Sequence, residues 1–203
     1  MRPAGVTASV GRAFIEQRSN PIVSGERVYL RDRHPADVDR FFYWQTHGEW
    51  RHQDAPREGF GDELTAEQEK KIRDQFLEKC AGEHSTPRRS AFVVTKDDYR
   101  PLGWVSSYQK ESYPSVGYVG INICEDDALN RGLGSEALKL WINYVFTHRD
   151  VHKLGLETWS FNPRMMHIAL KVGFTCEGAE HDVLEWQGKW LDLVHYGMLR
   201  KEW

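Results

Sequence analysis

A glycine-containing segment, LNRGLG at residues 129–134, has the composition and position of a phosphate-binding loop. It follows an alternating apolar run at residues 115–124 and the acidic EDDA, and it precedes the helical-looking SEALKLWINYVF. Glycines let a backbone approach a ligand closely, and unpaired N–H groups at a helix N-terminus attract anions. Asn130 tolerates the left-handed conformation of such loops, and Arg131 adds a cation. A tight turn that simply begins a helix explains the same hexapeptide, so both interpretations stay open.

Two nucleotide-binding motifs can be tested against this segment. A Walker loop needs G-x-x-x-x-G-K-[ST], and no Lys-Ser or Lys-Thr pair follows the glycines. A Rossmann fingerprint matches Gly132, Gly134 and Ala137, but residues 125–131 separate the strand from the first glycine, where the Rossmann turn is tight. The acidic candidates Asp150 and Glu157 also fit the ribose-binding position poorly. We therefore do not expect this segment to be a Walker loop or a Rossmann dinucleotide-binding loop.

Periodicity and capping signals predict the elements that would position this segment. Strands are expected at residues 27–33, 90–96, 101–110, 116–124 and 152–160, and a terminal hairpin at 182–199 turns at Gln187-Gly188. Pro35 begins one helix, Thr65 and Gln68 form a capping box for a second, and the third follows the glycines. A fourth helix is capped by Asn162 and ends at Gly173.

The order of these elements predicts the fold class. Three consecutive strands imply an antiparallel meander, and the strand–helix–strand that follows implies a parallel crossover. We therefore expect a mixed α+β domain at residues 26–203, preceded by an N-terminal extension at residues 1–25.

Composition narrows the function. The chain has 203 residues, of which 40% are hydrophobic and 28% charged, as in an ordinary globular protein. Its net charge of −3 gives no positive electrostatic potential that would attract nucleic acid. No apolar run approaches the ~18 residues of a membrane span, and residues 1–14 lack the apolar region of a secretory signal. Its three cysteines form no C-x-x-C pair, so a cytoplasmic location is expected. The spacing of His34, His47 and His52 does not predict a metal site.

Three stretches together carry a family resemblance: INICEDDALNRGLGSEALKLWINYVF, HKLGLETWSFNPRMMHIALKVGFTCEGAE and WQGKWLDLVHYGMLRKEW. The chain resembles the GNAT acetyltransferase superfamily, and most closely its Rim-type branch, which acetylates ribosomal-protein N-termini and related amines. The resemblance spans residues 27–203 and is sharpest over 115–203. It implies the GNAT-like acyl-CoA N-acyltransferase fold, with a largely antiparallel sheet of about seven strands whose fourth and fifth strands are parallel.

The resemblance also implies a coenzyme A site. In the family, the loop matching residues 129–134 wraps the coenzyme A pyrophosphate with its backbone amides, in the pattern Q/R-x-x-G-x-G/A. Leu129 stands where Gln or Arg is usual, although an amide cradle does not depend on that side chain. The residues that we expect to bind acetyl-CoA are Ile121, Ile123, Asn130, Arg131, Gly132, Leu133, Gly134, Ser135 and Asn162.

Amine acetylation makes three chemical demands. The ammonium must lose a proton, the thioester carbonyl must be polarised, and the thiolate must leave. The resemblance assigns polarisation to a backbone N–H around Asn122 and Ile123, where a bulge would separate the fourth strand from the fifth. It provides no acid for the thiolate, because Ala169 stands where many GNAT enzymes have a Tyr. Met165 likewise replaces a Ser that is common in this branch.

A general base requires a carboxylate or histidine within reach of the amine. Glu157, on the predicted fifth strand, is the first candidate; relatives of the ribosomal type make Glu180 the second. Glu157 is also explained as an outward charge or as a residue packed under a helix, and Glu180 as part of a solvated turn. Trp44, His47 and Trp50 are expected to form the acceptor wall, although the tryptophans are equally consistent with packing and the histidine with the surface.

The sequence thus predicts an acetyl-CoA-dependent N-acetyltransferase that acts on a primary amine by direct attack in a ternary complex. The acceptor would be a small molecule or a peptide N-terminus; neither nucleic acid nor membrane is an expected partner, and the chain would be a monomer or a homodimer. The missing Tyr and Ser keep a non-catalytic acyl-CoA sensor open as an alternative. A partner-binding protein with a tryptophan-rich surface is the third hypothesis.

Overall fold

The computed structural model describes residues 20–53 and 64–203. Their centre is one eight-stranded sheet in the order β1-β2-β3-β4-β5-β6-β8-β7. All neighbouring strands are antiparallel except β5 and β6. The strands are β1 Pro21–Ser24, β2 Val28–Arg31, β3 Ser90–Thr95, β4 Pro101–Gln109, β5 Val116–Ile123, β6 Lys153–Trp159, β7 Thr175–Trp186 and β8 Lys189–Leu199.

Five α-helices flank this sheet in the described part of the chain. They are α1 Val38–Thr46, α2 Trp50–Gln53, α3 Ala66–Ala81, α4 Leu133–His148 and α5 Pro163–Val172. The predicted fold class is therefore confirmed: a mixed, mostly antiparallel sheet contains one parallel pair and carries helices on both faces.

Local signals set several element boundaries as the sequence predicts. The Thr65 hydroxyl accepts from the Gln68 amide at 3.2 Å, and the Gln68 side chain accepts from the Thr65 amide at 2.8 Å. Helix α5 ends at Gly173 with a φ of 108°. The terminal hairpin turns at Gln187 and Gly188, whose φ angles of 51° and 72° are those of a type I′ turn.

The sheet has one strand more than the sequence predicts. Strand β1 pairs with β2 from Pro21↔Arg31 to Ser24↔Tyr29, so four residues that we assigned to the N-terminal extension belong to the sheet. The segment PIVS has too little periodicity to be recognised alone, and its partner strand makes it regular. Residues 1–19 of that predicted extension lie outside the described residues.

Alternation along the strands divides the core between the two faces of the sheet. Val28 and Leu30 point toward α4, while Tyr29 points to the other face. The first face and helices α4 and α5 form the larger aliphatic cluster. On the second face, the aromatic cluster joins α1, α2 and α3 to the sheet through Tyr29, Trp44, Trp50, Phe76 and Phe92. No helix of the described residues is long and apolar enough to cross a membrane.

The parallel pair separates part-way along its length. Strands β5 and β6 pair only from Val116↔Lys153 to Tyr118↔Gly155. Beyond that point β5 stays paired with β4 as far as Ile123, and β6 stays paired with β8 as far as Trp159. Each strand follows its outer neighbour, so the sheet opens into a V between them.

This opening corrects the expected bulge at Asn122 and Ile123. The pairing of β4 with β5 runs in continuous register from Gly103↔Ile123 to Gln109↔Gly117, without a bulge. The separation instead follows from the two outer ladders, which hold β5 and β6 to different halves of the sheet. At the foot of the V, the Tyr118 ring lies so close to Gly155 that a Cβ there would be 2.7 Å from its Cε1.

Candidate active site

A cavity of about 560 Å³ fills the opening between β5 and β6. Its walls include Ile121 and Ile123, whose side chains lie on the face of helices α4 and α5, and also Gly120 and Asn122, which face the opposite side. Consecutive residues of one strand therefore line the same cavity. It follows that the cavity passes through the sheet from one face to the other.

The glycine loop forms the wall of the cavity at the N-terminus of α4. Gly132 is the N-cap residue, with a left-handed φ of 78°, and Asn130 has a φ of 58°. No side chain of the described residues caps this helix, so the amides of its first turn remain available for an anion. Gly134 packs on β5, where a Cβ would lie 3.3 Å from Ile123 Cγ1. This geometry suits the pyrophosphate of coenzyme A.

Most of the predicted cofactor residues meet at this cavity. Arg131 and Leu133 do not line it: Leu133 is buried in the core, and Arg131 is exposed while its carbonyl accepts from Arg27 Nη1 at 2.9 Å. The residues that do line it are Ile121, Ile123, Asn130, Gly132, Gly134, Ser135 and Asn162.

Asn162 reaches the cavity wall but its side chain already has two partners. Its Oδ1 accepts from the Met165 amide at 3.0 Å, which caps α5, and its Nδ2 donates to the Gln53 carbonyl at 3.1 Å. Arg164 makes a parallel link, 2.8 Å from Glu49. Two bonds therefore tie α2 and the residue before it to the N-terminus of α5.

Of the three residues predicted to form the acceptor wall, one lines the cavity. Trp50 lines the cavity and donates from Nε1 to the Trp44 carbonyl at 3.1 Å. Trp44 is fully buried behind it, where its Nε1 donates to Glu125. His47 is exposed and stacks on Tyr43, with ring centroids 4.1 Å apart. Trp44 thus supports the wall from the aromatic cluster, and His47 lies outside the lining.

Glu157 lines the cavity and is surrounded by donors. Lys110 Nζ lies 2.5 Å from its Oε1, and the Tyr108 hydroxyl donates to its Oε2 at 3.2 Å. The hydrogen bond to Glu157 raises the pKa of Lys110. Burial, reinforced by the Glu157 charge, raises the pKa of Tyr108. Both donors consequently stay protonated at neutral pH and keep their hydrogen bonds to the Glu157 carboxylate.

His195 joins the two predicted catalytic carboxylates, and the sequence analysis missed it. Its Nδ1 lies 3.3 Å from Glu157 Oε1, and its Nε2 lies 2.9 Å from Glu180 Oε1. Neither contact has the alignment of a full hydrogen bond, and Nε2 is buried. The pairing of β6 with β8 sets Glu157 opposite His195. That register was the missing signal, because the two residues are far apart in the chain.

Helix α5 has Ala169 at the position where many GNAT enzymes have a Tyr, but it carries two other side chains that can donate a proton. Ala169 is fully buried in the aliphatic core and cannot act on a thiolate. His167 and Lys171, on the same helix, line the cavity. Within the described residues, no group of three or more His, Cys, Asp or Glu side chains is arranged to hold a metal ion.

Comparison with known proteins identifies this arrangement. A family model described as an acetyltransferase (GNAT) domain matches residues 27–175. The chain belongs to the GNAT acetyltransferase family. A search of curated proteins finds no similar sequence. The GNAT match covers most of the sheet and the glycine loop, so the enzyme class predicted from the sequence, a GNAT-type acetyltransferase, is confirmed.

Solved structures of the GNAT fold are similar over nearly the whole chain. A GNAT-family acetyltransferase from Bacillus anthracis has a TM-score of 0.70 at 16% identity, covering 89% of this chain and 99% of its own. The RimL ribosomal alpha-N-protein acetyltransferase in complex with coenzyme A has 0.65 at 15%, covering 89% and 98%. Spermidine N-acetyltransferase from Vibrio cholerae, with coenzyme A and spermine, has 0.63 at 16%, covering 86% and 96%. At these identities the likeness shows the fold.

Proposed function

We propose that this GNAT chain transfers the acetyl group of acetyl-CoA to a primary amine, by direct attack in a ternary complex. One observation carries the proposal: a single cavity crosses the sheet, with free helix amides on one side and Glu157 on the other. A cofactor and an acceptor can therefore enter from opposite faces and meet inside the V. Holding two reactants in this way supplies much of the acceleration of a bimolecular reaction.

The cofactor half would work through backbone groups. The amides at the start of α4, with roughly half a positive charge at the helix end, would hold the pyrophosphate. Among the described residues, the edge of β5 that faces β6 has no strand partner beyond Tyr118, so its N–H and C=O groups can pair with the pantetheine arm. A backbone N–H near Asn122 would then polarise the thioester carbonyl.

The acceptor half would handle the proton of the amine. Glu157 faces the cavity, and a carboxylate there attracts an ammonium and accepts the proton that the ammonium must lose before its nitrogen can attack. Trp50 would provide the apolar wall. As the acceptor class we propose a protein N-terminal α-amine of the Rim type or a small-molecule amine, and we propose that the reaction takes place in the cytoplasm.

Calorimetry with coenzyme A, followed by a thiol-release assay with acetyl-CoA and a panel of amines and peptide N-termini, tests the proposal. We expect saturable binding and acceptor-dependent release of free thiol. Glu157→Gln should keep its affinity for coenzyme A and lose about 100-fold in kcat. Binding without turnover on any acceptor would favour the acyl-CoA sensor, and no binding at millimolar coenzyme A would refute both.

A further inference from the structure

Three titratable side chains lie in a line from the cavity to the solvent. Glu157 is on β6, His195 on β8 and Glu180 on β7, three neighbouring strands at one end of the sheet. The exposed fraction of the side chain rises along this line, from 15% for Glu157 to 27% for His195 and 61% for Glu180. The first carboxylate therefore meets the cavity and the last meets bulk water.

The imidazole of His195 faces a carboxylate oxygen at each of its nitrogens. A neutral imidazole has one N–H and one bare nitrogen, so it can take a proton at Nδ1 from one carboxylate while giving its Nε2 proton to the other. Contacts of this kind are often poorly aligned in an unliganded site and tighten when the reactants bind. Two carboxylates at the opposite nitrogens of one ring are the arrangement that a relay requires.

Two donors contact the carboxylate at the cavity end of the line. Lys110 Nζ, directly after β4, lies 2.5 Å from Glu157 Oε1, and the Tyr108 hydroxyl donates to Oε2 at 3.2 Å. Tyr118 of β5 stacks on Tyr108 at 5.1 Å, and Lys110 Nζ lies 4.5 Å from the Tyr118 ring centroid. A proton on Glu157 would compete with these donors for the carboxylate oxygens, whereas His195 Nδ1, 3.3 Å from Oε1, can accept it.

We propose that Glu157, His195 and Glu180 form a proton relay that carries the amine proton from the cavity to solvent. The inference rests on the proposed function and adds to it the positioning residue His195. The bound ammonium first gives one proton to Glu157; His195 takes that proton at Nδ1 while its Nε2 proton passes to Glu180, which releases it to water. The neutral nitrogen then bonds to the acetyl carbon as the C–S bond breaks. The second proton lost by the nitrogen leaves with the sulfur, so coenzyme A departs as the thiol.

Steady-state kinetics over a pH series, with saturating acetyl-CoA and an accepted amine, test the relay. His195→Gln keeps a polar side chain but cannot titrate, and we expect kcat to fall at least tenfold with the affinity for coenzyme A unchanged. Its acid limb in the pH profile of kcat should also change. His181→Gln is the matched control, because His181 pairs with Asp192 on the same hairpin, 3.1 Å away and outside the line. It should behave as the wild type.

A second variant tests the relay even if His195→Gln fails to fold. Glu180 is exposed, so Glu180→Gln should fold normally, lower kcat several-fold, and recover on addition of imidazole buffer, which can take the proton directly from His195.

The outcomes separate the two proposals. If the wild type acetylates no amine, the proposed function fails and the relay fails with it. If the wild type is active while His195→Gln keeps the wild-type kcat and pH profile, the relay alone is overturned. A Glu180→Gln variant that folds and keeps the wild-type kcat without imidazole would also overturn it.

Discussion

Gly132 and Gly188 share a left-handed backbone in very different surroundings. Gly132 caps α4 at the cavity with a φ of 78°, and a Cβ there would lie 3.3 Å from Arg27 Nη2. Gly188 turns the terminal hairpin with a φ of 72°, and no atom of residues 20–53 or 64–203 lies within 4 Å of a Cβ there. Substitutions at these two glycines can therefore distinguish the effect of backbone strain from an effect on ligand binding.

Gly132→Ala and Gly188→Ala should each lower the free energy of unfolding by about 1 kcal/mol, because the left-handed conformation costs roughly this much for a residue with a Cβ. Only Gly132→Ala should weaken coenzyme A binding, by about tenfold, which corresponds to ~1.4 kcal/mol. Urea unfolding and calorimetry measure the two quantities. Equal affinities in the two variants would remove the glycine loop from the cofactor site.

The contacts of the Glu136 carboxylate should make the stability of the fold depend on pH. Burial alone would raise its pKa, but bonds from the backbone amides of Arg27 and Val28 and from the Arg27 guanidinium hold that pKa below its usual value. A carboxylate whose pKa is lowered by folding stabilises the fold above its unfolded pKa. That contribution is lost as the pH falls through the folded pKa.

Glu136→Gln should therefore cost about 1 kcal/mol of unfolding free energy at pH 7, where the wild-type carboxylate is fully ionised. The difference from the wild type should shrink as the pH falls below about 4. Urea unfolding at a series of pH values measures it. A difference that stays constant from pH 7 to pH 3 would show that ionisation of Glu136 contributes nothing.

At the scale of elements, the acidic turn Asp126–Ala128 and the residue before it connect the two halves of the site. Glu125, 5% exposed, accepts from Arg40 and Trp44 of α1 and lies 3.3 Å from Arg100 of the β3–β4 connection. Asp127, 62% exposed, accepts hydrogen bonds from both terminal nitrogens of the same Arg100. The sequence shows an acidic run, and the structure makes it the anchor of α1 to the segment that leads into the glycine loop.

Glu125→Gln should destabilise the fold by about 2 kcal/mol, below the ~3–5 kcal/mol of a fully buried pair because both arginines keep partial access to water. Asp127→Asn is the control, since it also loses a contact with Arg100 but at the surface, and it should cost about 1 kcal/mol or less. Thermal unfolding compares the two. Equal losses would contradict the importance of burial at Glu125.

At the scale of the whole molecule, the V divides the sheet into two unequal parts. Strands β1 to β5 form one part and β6 to β8 the other. Within the described part of the chain, the strand pairing that joins them is confined to three positions at the foot of the V. A ligand that contacts the glycine loop on one side and α5 on the other would bridge the parts. Ligand binding should therefore be visible in the stability of the whole chain.

Coenzyme A at about 100 times its Kd should stabilise the fold by ~2.7 kcal/mol. For a chain of this size, that corresponds to a rise in Tm of about 5–10 °C. Pantetheine, which lacks the pyrophosphate, is the control and should give a smaller rise at the same concentration. Differential scanning fluorimetry measures both, and an unchanged Tm with coenzyme A would refute cofactor binding in the V.

The sequence by itself determined the parts of this protein that depend on local physics. The capping box at Thr65, the cap at Asn162, the turn at Gln187-Gly188 and the glycine loop each follow from a few neighbouring residues, and the structure has them where they were predicted. The element order sufficed for the fold class, because a strand–helix–strand unit leaves little choice of crossover.

Only the tertiary structure decided which distant residues share the site. His195 meets Glu157 through the register of β6 with β8, and Trp44 is withdrawn from the acceptor wall because the aromatic cluster buries it. The strand Pro21–Ser24 is regular only beside its partner. Strand register and packing arise from contacts between residues far apart in the chain, and periodicity along one segment carries no information about them.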